Sequence, residues 1–126
     1  MKKLILTAFL ILMMMLAGCT ETPDATLKTI TPQEAIEIMA NTDHVIILDV
    51  RELHEFNEGH IPNAVSLPIG EIKDAVPHMI PNKNDIILVY CRTGRRSADA
   101  AEILSNLGYT RVYDFGGIVH WPGEVY

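Results

Sequence analysis

Basic residues are scarce in this sequence, and its histidines lack the spacing of metal ligands. Ten Lys and Arg stand against sixteen Asp and Glu, a formal net charge of −6, which argues against a nucleic-acid partner because nucleic acids bind cationic surfaces. The sequence contains no internal repeat and no low-complexity tract. Four histidines show no ligand spacing with one another or with Cys91, namely His44, His54, His78 and His120. We therefore predict no metal site and no cofactor.

One long hydrophobic run is present, and it lies near the first residue. The chain has 126 residues, enough for one domain, with 48% hydrophobic and 21% charged residues, an ordinary globular balance. Residues 4–16 are apolar except for Thr7 and follow two lysines. As a helix this run would span roughly 20 Å, less than the ~30 Å of a bilayer core. We therefore predict a signal peptide over residues 1–18 and no permanent membrane span.

The end of this leader resembles the lipobox of bacterial lipoproteins. Residues 16–19 are LAGC, and the resemblance implies that Cys19 becomes the lipidated first residue, carrying fatty acids such as palmitate. Residues 19–26 would then form a polar tether, and the protein would be extracytoplasmic and anchored to a bacterial membrane. The alternative is an ordinary signal peptide with small residues before its cleavage site. With Cys19 acylated, Cys91 is the one remaining thiol, so no internal disulfide can form.

The centre of the sequence predicts a strand, a tight loop and a helix. Residues 85–90 are DIILVY, an apolar run with β-branched members that is typical of a strand buried on both faces. The loop is CRTGRR at residues 91–96. After it, Ser97 opens a predicted helix over residues 98–107, with Gly108 as its terminator. The loop therefore lies outside the carboxyl end of a strand, where open α/β sheets bind their ligands.

The chemistry of this loop favours anions and a thiolate. Its main-chain N–H groups and the following helix N-terminus attract negative charge, and Gly94 permits backbone angles closed to other residues. Without the leader, which holds two lysines, eight Lys and Arg remain against sixteen acids, a formal charge of −8. Three of those eight cations, Arg92, Arg95 and Arg96, lie in the loop. Cys91 is therefore a candidate nucleophile; the alternative is a small, inert, buried cysteine.

The rest of the chain predicts an α/β fold, a parallel sheet of about five strands with helices on both faces. The other predicted strands cover residues 27–30, 45–50, 64–67 and 111–114. Thr31, Pro32 and Glu34 are typical of a capping box, which opens a helix that ends at residues 41–43. A short helix is predicted over residues 52–57, and a poor one over residues 71–79, interrupted by Pro77.

Four side chains outside the loop are candidates for supporting roles. Asp49 and Arg51 follow the second strand, at the sheet edge predicted for Cys91; they could steer a substrate, but a structural ion pair that holds the loop is favoured. His60 could act as an acid or base at neutral pH, although packing and hydrogen bonding are favoured for a histidine in a Gly-His-Ile-Pro turn. Trp121 is predicted to be a core residue or a pocket wall.

Three motifs in the right order resemble those of the rhodanese-like sulfurtransferases. Residues 91–97 (CRTGRRS) look like the active-site loop of that family. Residues 49–52 (DVRE) with 58–64 (EGHIPNA) resemble its upstream signature, and residues 116–121 (GGIVHW) resemble its closing segment. The resemblance covers about residues 27–122. It implies the rhodanese fold, in a rhodanese-like domain over residues 27–126.

The resemblance also implies a thiosulfate sulfurtransferase. Cys91 would take a sulfane sulfur from thiosulfate or a similar small anionic donor as a persulfide, and pass it to cyanide or a thiol. The residues implied to bind the donor are Arg92, Thr93, Gly94, Arg95 and Arg96. Of these, Arg92 and Arg96 are favoured as closest to the anion, and Thr93 as a hydroxyl donor to the sulfur.

Two other functions remain open at this point. The first is a sulfur carrier or binding module in which Cys91 relays sulfur to a partner and turns over small donors slowly. The second is a cysteine-dependent phosphatase or arsenate reductase. The related phosphatases have the pattern C-x5-R, which would place an arginine where this chain has Ser97. The spacing from Cys91 to Arg96 is C-x4-R, a smaller ring that suits a sulfane sulfur better than a phosphate.

Overall fold

A parallel sheet of five strands forms the centre of the computed structural model, which describes residues 26–126. The strands are β1 (Thr26–Thr29), β2 (Val45–Asp49), β3 (Val65–Ser66), β4 (Ile86–Cys91) and β5 (Arg111–Gly117). Their order across the sheet is β1-β5-β4-β2-β3, and all neighbours are parallel. The predicted α/β class is confirmed, and the central strand is β4, which ends at Cys91.

Four α-helices connect the strands in the described residues. They are α1 (Pro32–Asn41), α2 (Leu53–Glu58), α3 (Ile72–Met79) and α4 (Arg95–Asn106). Two short 3₁₀ turns, Ile69–Glu71 and Ile118–His120, precede α3 and follow β5. The predicted capping box is present at the start of α1, where the Glu34 N–H donates to Thr31 Oγ1 at 3.1 Å and the Thr31 N–H donates to Glu34 Oε2 at 2.7 Å.

Separate hydrophobic clusters cover the two faces of the sheet. Because successive side chains of a strand point to opposite faces, Leu88 and Tyr90 of β4 pack in the cluster that includes Ala35 of α1. Val89 and Cys91 pack in the other cluster, with side chains of α3 and α4. Helices therefore lie on both faces, as predicted, and the Cys91 side chain points to the α3 and α4 face.

Two helix predictions are wrong. The central helix begins at Arg95, not after Ser97, so Arg95 and Arg96 belong to its first turn and the loop is shorter than predicted. Pro77 does not interrupt its helix, because α3 continues through it to Met79. A proline removes one N–H donor. Because Pro77 lies only two residues before the end of α3, most of the hydrogen bonds of that helix remain.

The predicted signal peptide, the lipobox and Cys19 lie outside the described residues. Within residues 26–126, none of the helices is long and apolar enough to cross a membrane. In the same part of the chain, no group of three or more His, Cys, Asp and Glu side chains could hold a metal ion.

Candidate active site

The Cys91 sulfur lies at the N-terminus of α4. Between the end of β4 and the start of α4 the chain turns in three residues, and Gly94 makes this possible with φ = +107°, in the left-handed region that favours glycine. The Gly94 N–H donates to Cys91 Sγ at 3.0 Å. A helix N-terminus carries unpaired N–H groups and the positive end of the helix dipole, so negative charge on this sulfur is favoured.

A buried serine brings a hydroxyl close to the sulfur. Ser97 Oγ lies 3.5 Å from Cys91 Sγ and donates to the Gly94 carbonyl oxygen at 3.0 Å. Ser97 is fully buried, whereas the Thr93 side chain is exposed. Ser97 therefore fixes the turn from the inside and stands beside the sulfur.

Cys91 itself is covered. It exposes 0% of its surface, while Arg92 and Thr93 next to it are exposed. The cause is geometric, since the last side chain of a central strand points into one face of the sheet and the turn to α4 passes over it. A reagent in solution therefore reaches Sγ only when the turn or the side chains around it move.

The end of β5 forms the floor of the turn. A Cβ on Gly117 would lie 2.3 Å from the Arg92 carbonyl oxygen and 2.7 Å from Thr93 Cα, closer than atoms can approach. Gly117 has extended backbone angles, φ = −110° and ψ = 144°, so close approach and not backbone conformation requires glycine here. The Val119 N–H donates to the same Arg92 carbonyl at 3.3 Å. The GGIVHW motif thus supports the loop.

Replacing Gly117 with alanine should displace the turn and lower both stability and activity. The new methyl group has to push Arg92 and Thr93 away, a strain of about 1–3 kcal/mol. We expect a lower unfolding midpoint in urea and at least a tenfold lower rate of sulfur transfer. The matched control is Gly70→Ala, since a Cβ on Gly70 meets nothing within 4 Å. Equal behaviour of the two variants would show that the floor does not shape the loop.

The three loop arginines differ in what they contact. Arg96 donates from Nη1 to Glu55 Oε2 at 2.6 Å and from Nη2 to Glu55 Oε1 at 2.9 Å. In residues 26–126, neither Arg92 nor Arg95 pairs with a carboxylate, and both are exposed. Two of the three arginines predicted to bind the anion, Arg92 and Arg95, are thus exposed to solvent, and the third, Arg96, pairs with an acid of α2.

The Arg96 hydrogen bonds lower the pKa of Glu55 from 4.5 to about 2, although burial alone would raise it. Because the pKa is lower in the folded than in the unfolded state, the pair stabilises the fold fully above about pH 4.5 and loses this effect as the pH falls towards 2. The native chain should be more stable than Glu55→Gln by up to about 1 kcal/mol at pH 6, since the pair is partly exposed. Urea unfolding should show this difference shrinking below pH 5. A difference that stays constant in acid, or one that Glu58→Gln reproduces, would contradict it.

Asp49 and Arg51 form the structural ion pair that the sequence favoured. Arg51 Nη2 lies 2.6 Å from Asp49 Oδ2, and both side chains are buried. Burial alone would lower the pKa of Arg51, but the hydrogen bond and charge of Asp49 raise it. Tyr90 Oη donates to Asp49 Oδ2 at 2.7 Å, and Arg51 Nη2 donates to the Gly59 carbonyl at 2.7 Å. This network ties the end of β2 to the Gly59 turn.

His60 has the packing role that was favoured for it. Its ring stacks on Phe56 with centroids 3.8 Å apart, and Nδ1 lies 3.0 Å from the Phe56 carbonyl oxygen. Its main chain exchanges two hydrogen bonds with Tyr126.

Trp121 packs against Phe115 and lines a groove of about 680 Å³ that contains no residue of the Cys91 loop. Trp121 is thus a pocket wall, but of a pocket away from the sulfur.

Sequence reasoning missed Glu55 and Ser97 as parts of the site. Ser97 was interpreted as the start of a helix. Glu55 lies in a helix that was predicted, but its partner Arg96 is 41 residues away. The strand order could have indicated this contact: α2 follows β2 and α4 follows β4, and these parallel strands are neighbours, so both helices begin at the same edge of the sheet. An acid in the first turn after β2 can therefore meet a base in the first turn after β4.

Comparison with known proteins identifies the family to which this fold and this loop belong. The family model of the rhodanese-like domain matches residues 31–124. The chain belongs to the rhodanese-like family. The thiosulfate sulfurtransferase PspE of Escherichia coli (strain K12) is 41% identical to this rhodanese-like chain over 71 residues, which cover 56% of the chain and 68% of PspE.

A further relative and a solved structure agree with this assignment. A sulfurtransferase of Allochromatium vinosum is 38% identical to this rhodanese-like chain over 84 residues, 66% of the chain and 77% of the relative. The solved structure of a rhodanese with anions from E. coli matches with a TM-score of 0.62 and 35% identity, covering 65% of this chain and 96% of the other. The chain thus has the rhodanese fold and is a homologue of sulfurtransferases.

Proposed function

We propose that this protein is a sulfurtransferase that moves a sulfane sulfur from thiosulfate, or a similar small anionic donor, to cyanide or a thiol through a persulfide on Cys91. The observation that carries the proposal is the position of Cys91 Sγ at the N-terminus of α4, where it accepts the Gly94 N–H at 3.0 Å. Three arginines within five residues of it supply the positive charge that an anionic donor needs. The family relatives named as sulfurtransferases support the same chemistry.

The first half-reaction loads the sulfur. The Cys91 thiolate attacks the outer sulfur of thiosulfate, and a new S–S bond forms to Sγ while the S–S bond of the donor breaks. The electron pair of the broken bond leaves with sulfite. The helix N-terminus stabilises the thiolate before the attack, and Arg92 and Arg95, both free of carboxylate partners in residues 26–126, are available to hold the departing anion.

The second half-reaction returns the thiolate. Cyanide or a thiolate attacks the outer sulfur of the persulfide, a bond forms from carbon or sulfur to that atom, and the Sγ–S electron pair returns to Cys91. The Gly94 N–H and the helix dipole stabilise that charge as they did at the start. The enzyme alternates between a free and a sulfur-loaded form, so ping-pong kinetics are expected.

Mass spectrometry of the folded protein after thiosulfate treatment tests this function. We expect the peptide that contains Cys91 to gain one sulfur atom and to lose it again when cyanide is added. Because Cys91 is fully covered in the structure, the test also measures whether the turn opens for a donor. A chain that takes up no sulfur while its fold is intact would overturn the proposal.

A sulfur carrier is the second candidate, and the burial of Cys91 favours it. A covered sulfur reacts slowly with small donors, and a partner protein could open the turn on docking. This function predicts a persulfide on Cys91 together with negligible thiocyanate production.

The phosphatase alternative has less support, because the position its motif needs for arginine is Ser97, a buried side chain hydrogen-bonded to the turn. Hydrolysis of p-nitrophenyl phosphate without thiocyanate production would favour it.

We also propose that the chain is a lipoprotein anchored outside the cytoplasm. The basis is the sequence at residues 16–19 and the apolar leader before it, with the rhodanese-like domain following a short tether. Acyl chains on Cys19 would hold the protein on the membrane, and more than one chain is needed for stable attachment. Expressed in bacteria that are supplied with labelled palmitate, the native chain should incorporate the label, and Cys19→Ala should not; a native chain without label would rule out the anchor.

A further inference from the structure

Only one of the three loop arginines has its charge balanced by a neighbour in the part of the chain that the structure describes. Arg96 lies in the first turn of α4 and pairs through both terminal nitrogens with the Glu55 carboxylate. The Arg96 side chain is 33% exposed and the Glu55 side chain 15% exposed. Arg92 and Arg95 project into solvent. The loop therefore carries three positive charges, and the negative charge of Glu55 offsets one of them, that of Arg96.

Glu55 is fixed in this place by α2. The Glu52 N–H donates to Glu55 Oε2 at 2.9 Å, so the same carboxylate that binds Arg96 also caps its own helix. Next to Glu55, Phe56 stacks on His60 and thereby anchors α2 to the turn that follows it. The hydrogen bonds from Arg96 hold the pKa of Glu55 at about 2, so the acid is charged at every pH at which the enzyme would work.

The Arg96–Glu55 pair adjoins the Cys91 turn. Arg96 lies in the chain between Gly94 and Ser97, and both contact the sulfur: the Gly94 N–H donates to Cys91 Sγ at 3.0 Å, and Ser97 Oγ lies 3.5 Å from it. A charge on the side chain between them therefore acts on the sulfur, and more strongly inside the fold than it would across water. Any group that cancels the Arg96 charge therefore changes the potential at Sγ.

We infer that Glu55 is a specificity-determining residue that sets how strongly the Cys91 site prefers highly charged anions. Its carboxylate offsets the charge of Arg96 and so lowers the positive potential around the sulfur. A doubly charged donor gains twice as much from that potential as a singly charged one. Glu55 therefore reduces the preference of the site for a doubly charged oxyanion over a singly charged one. This role deepens the proposed sulfur transfer and rests on it only for the identity of the donor.

Alkylation of Cys91 by two reagents of different charge tests the inference. Iodoacetate is an anion and iodoacetamide is neutral, and the same thiolate attacks both of them and displaces iodide. A change in the thiolate fraction or in the opening of the turn alters both rate constants by the same factor and leaves their ratio unchanged. A merely structural role of Glu55 would therefore change the two rates but not their ratio. In Glu55→Gln the amide oxygen still accepts hydrogen bonds, but the negative charge is gone. We expect the iodoacetate to iodoacetamide ratio to rise by about threefold or more at low salt.

Three further variants make the test specific. Arg96→Gln leaves Glu55 unbalanced and should lower the ratio. The double variant Glu55→Gln with Arg96→Gln restores the native net charge and should return the ratio close to the native value. Glu58→Gln removes the same charge from an exposed position of the same helix and should leave the ratio nearly unchanged. An unchanged ratio in Glu55→Gln, or a double variant that stays as far from native as either single one, would overturn the inference.

The same variants extend the test to sulfur donors. Thiosulfate carries two negative charges and benzenethiosulfonate carries one. In Glu55→Gln, kcat/KM for thiosulfate should rise relative to kcat/KM for benzenethiosulfonate by about the factor seen in alkylation. If neither donor loads sulfur but the alkylation ratio shifts as expected, the proposed function fails and the role of Glu55 stands. If both donors react and their ratio does not respond, the role of Glu55 fails and the proposed function stands.

Discussion

Replacing Cys91 with serine should reduce thiocyanate formation from thiosulfate and cyanide to the uncatalysed background, a loss of at least about 10³-fold. A serine hydroxyl is not ionised at neutral pH, and its oxygen cannot hold the transferred sulfur as a persulfide. The substitution keeps the size of the side chain and leaves an acceptor for the Gly94 N–H, so the turn should retain its shape. The measurement is the rate of thiocyanate release at saturating donor.

The second cysteine supplies the control for this experiment. Cys19→Ala removes the other cysteine of the chain and should leave thiocyanate formation unchanged. Cys91→Ser should show the same urea unfolding transition as the native chain, which excludes loss of fold as the cause. Retention of most activity in Cys91→Ser would show that Cys91 is not the nucleophile.

Replacing Asp49 with alanine should lower the free energy of unfolding by about 3–5 kcal/mol, because it leaves the charged, buried Arg51 without its carboxylate partner. The Asp49 side chain is 0% exposed and that of Arg51 7%, so water cannot replace the lost contacts. The substitution also removes the acceptor of Tyr90 Oη, an unmet buried donor that adds to the cost. Urea unfolding at neutral pH, followed by circular dichroism, measures the effect.

A surface ion pair provides the matched comparison. Asp85 lies 3.5 Å from His44, whose side chain is 76% exposed. Asp85→Ala removes a carboxylate of the same type and should cost less than about 1 kcal/mol. Similar losses in Asp49→Ala and Asp85→Ala would mean that the buried network does not stabilise the fold.

The elements of the fold were predictable because each has a local signal. The β4 run of apolar residues is buried on both faces, as its composition indicated, and α1 opens with the capping box that Thr31 and Glu34 predicted. Gly108 follows the end of α4 with φ = +97°, the left-handed conformation expected of a glycine terminator. Patterns of this kind depend on a few adjacent residues, and the sequence contains all of them.

The start of α4 was not predictable by the same rules. A hydroxyl before a helical pattern normally marks the cap, and this rule predicts Ser97 as the cap residue. In the structure Gly94 is the cap, because its left-handed backbone lets the chain turn directly from the strand into the helix. Ser97 then lies within the first turn, where its hydroxyl bonds back to the Gly94 carbonyl. The tight turn over the sulfur requires a left-handed residue at the cap position, so glycine occupies it instead of the serine that capping preferences favour.

Two features of the candidate site depend on contacts between distant parts of the chain. The pairing of Glu55 with Arg96 joins helices that follow different strands, and the burial of Cys91 follows from which face its strand position selects. The sequence indicated three arginines around a reactive sulfur, and it did not show that one of them is engaged by an acid. Residue types were predictable, whereas their partners across the sheet were not.

The common direction of the strands also determines at which edge of the sheet the residues before β1 join it. Thr26 of β1 and Ile86 of β4 both align with Arg111, so the chain enters the sheet level with the first residue of the strand that Cys91 ends, roughly 17 Å away at ~3.3 Å per residue. Six residues separate Cys19 from Thr26, so the two residues are seven chain steps apart and at most roughly 25 Å from each other. With Cys19 acylated as proposed above, the anchor would join the sheet at the edge opposite to the Cys91 turn, so that a partner dissolved in water could approach the turn from the side away from the bilayer.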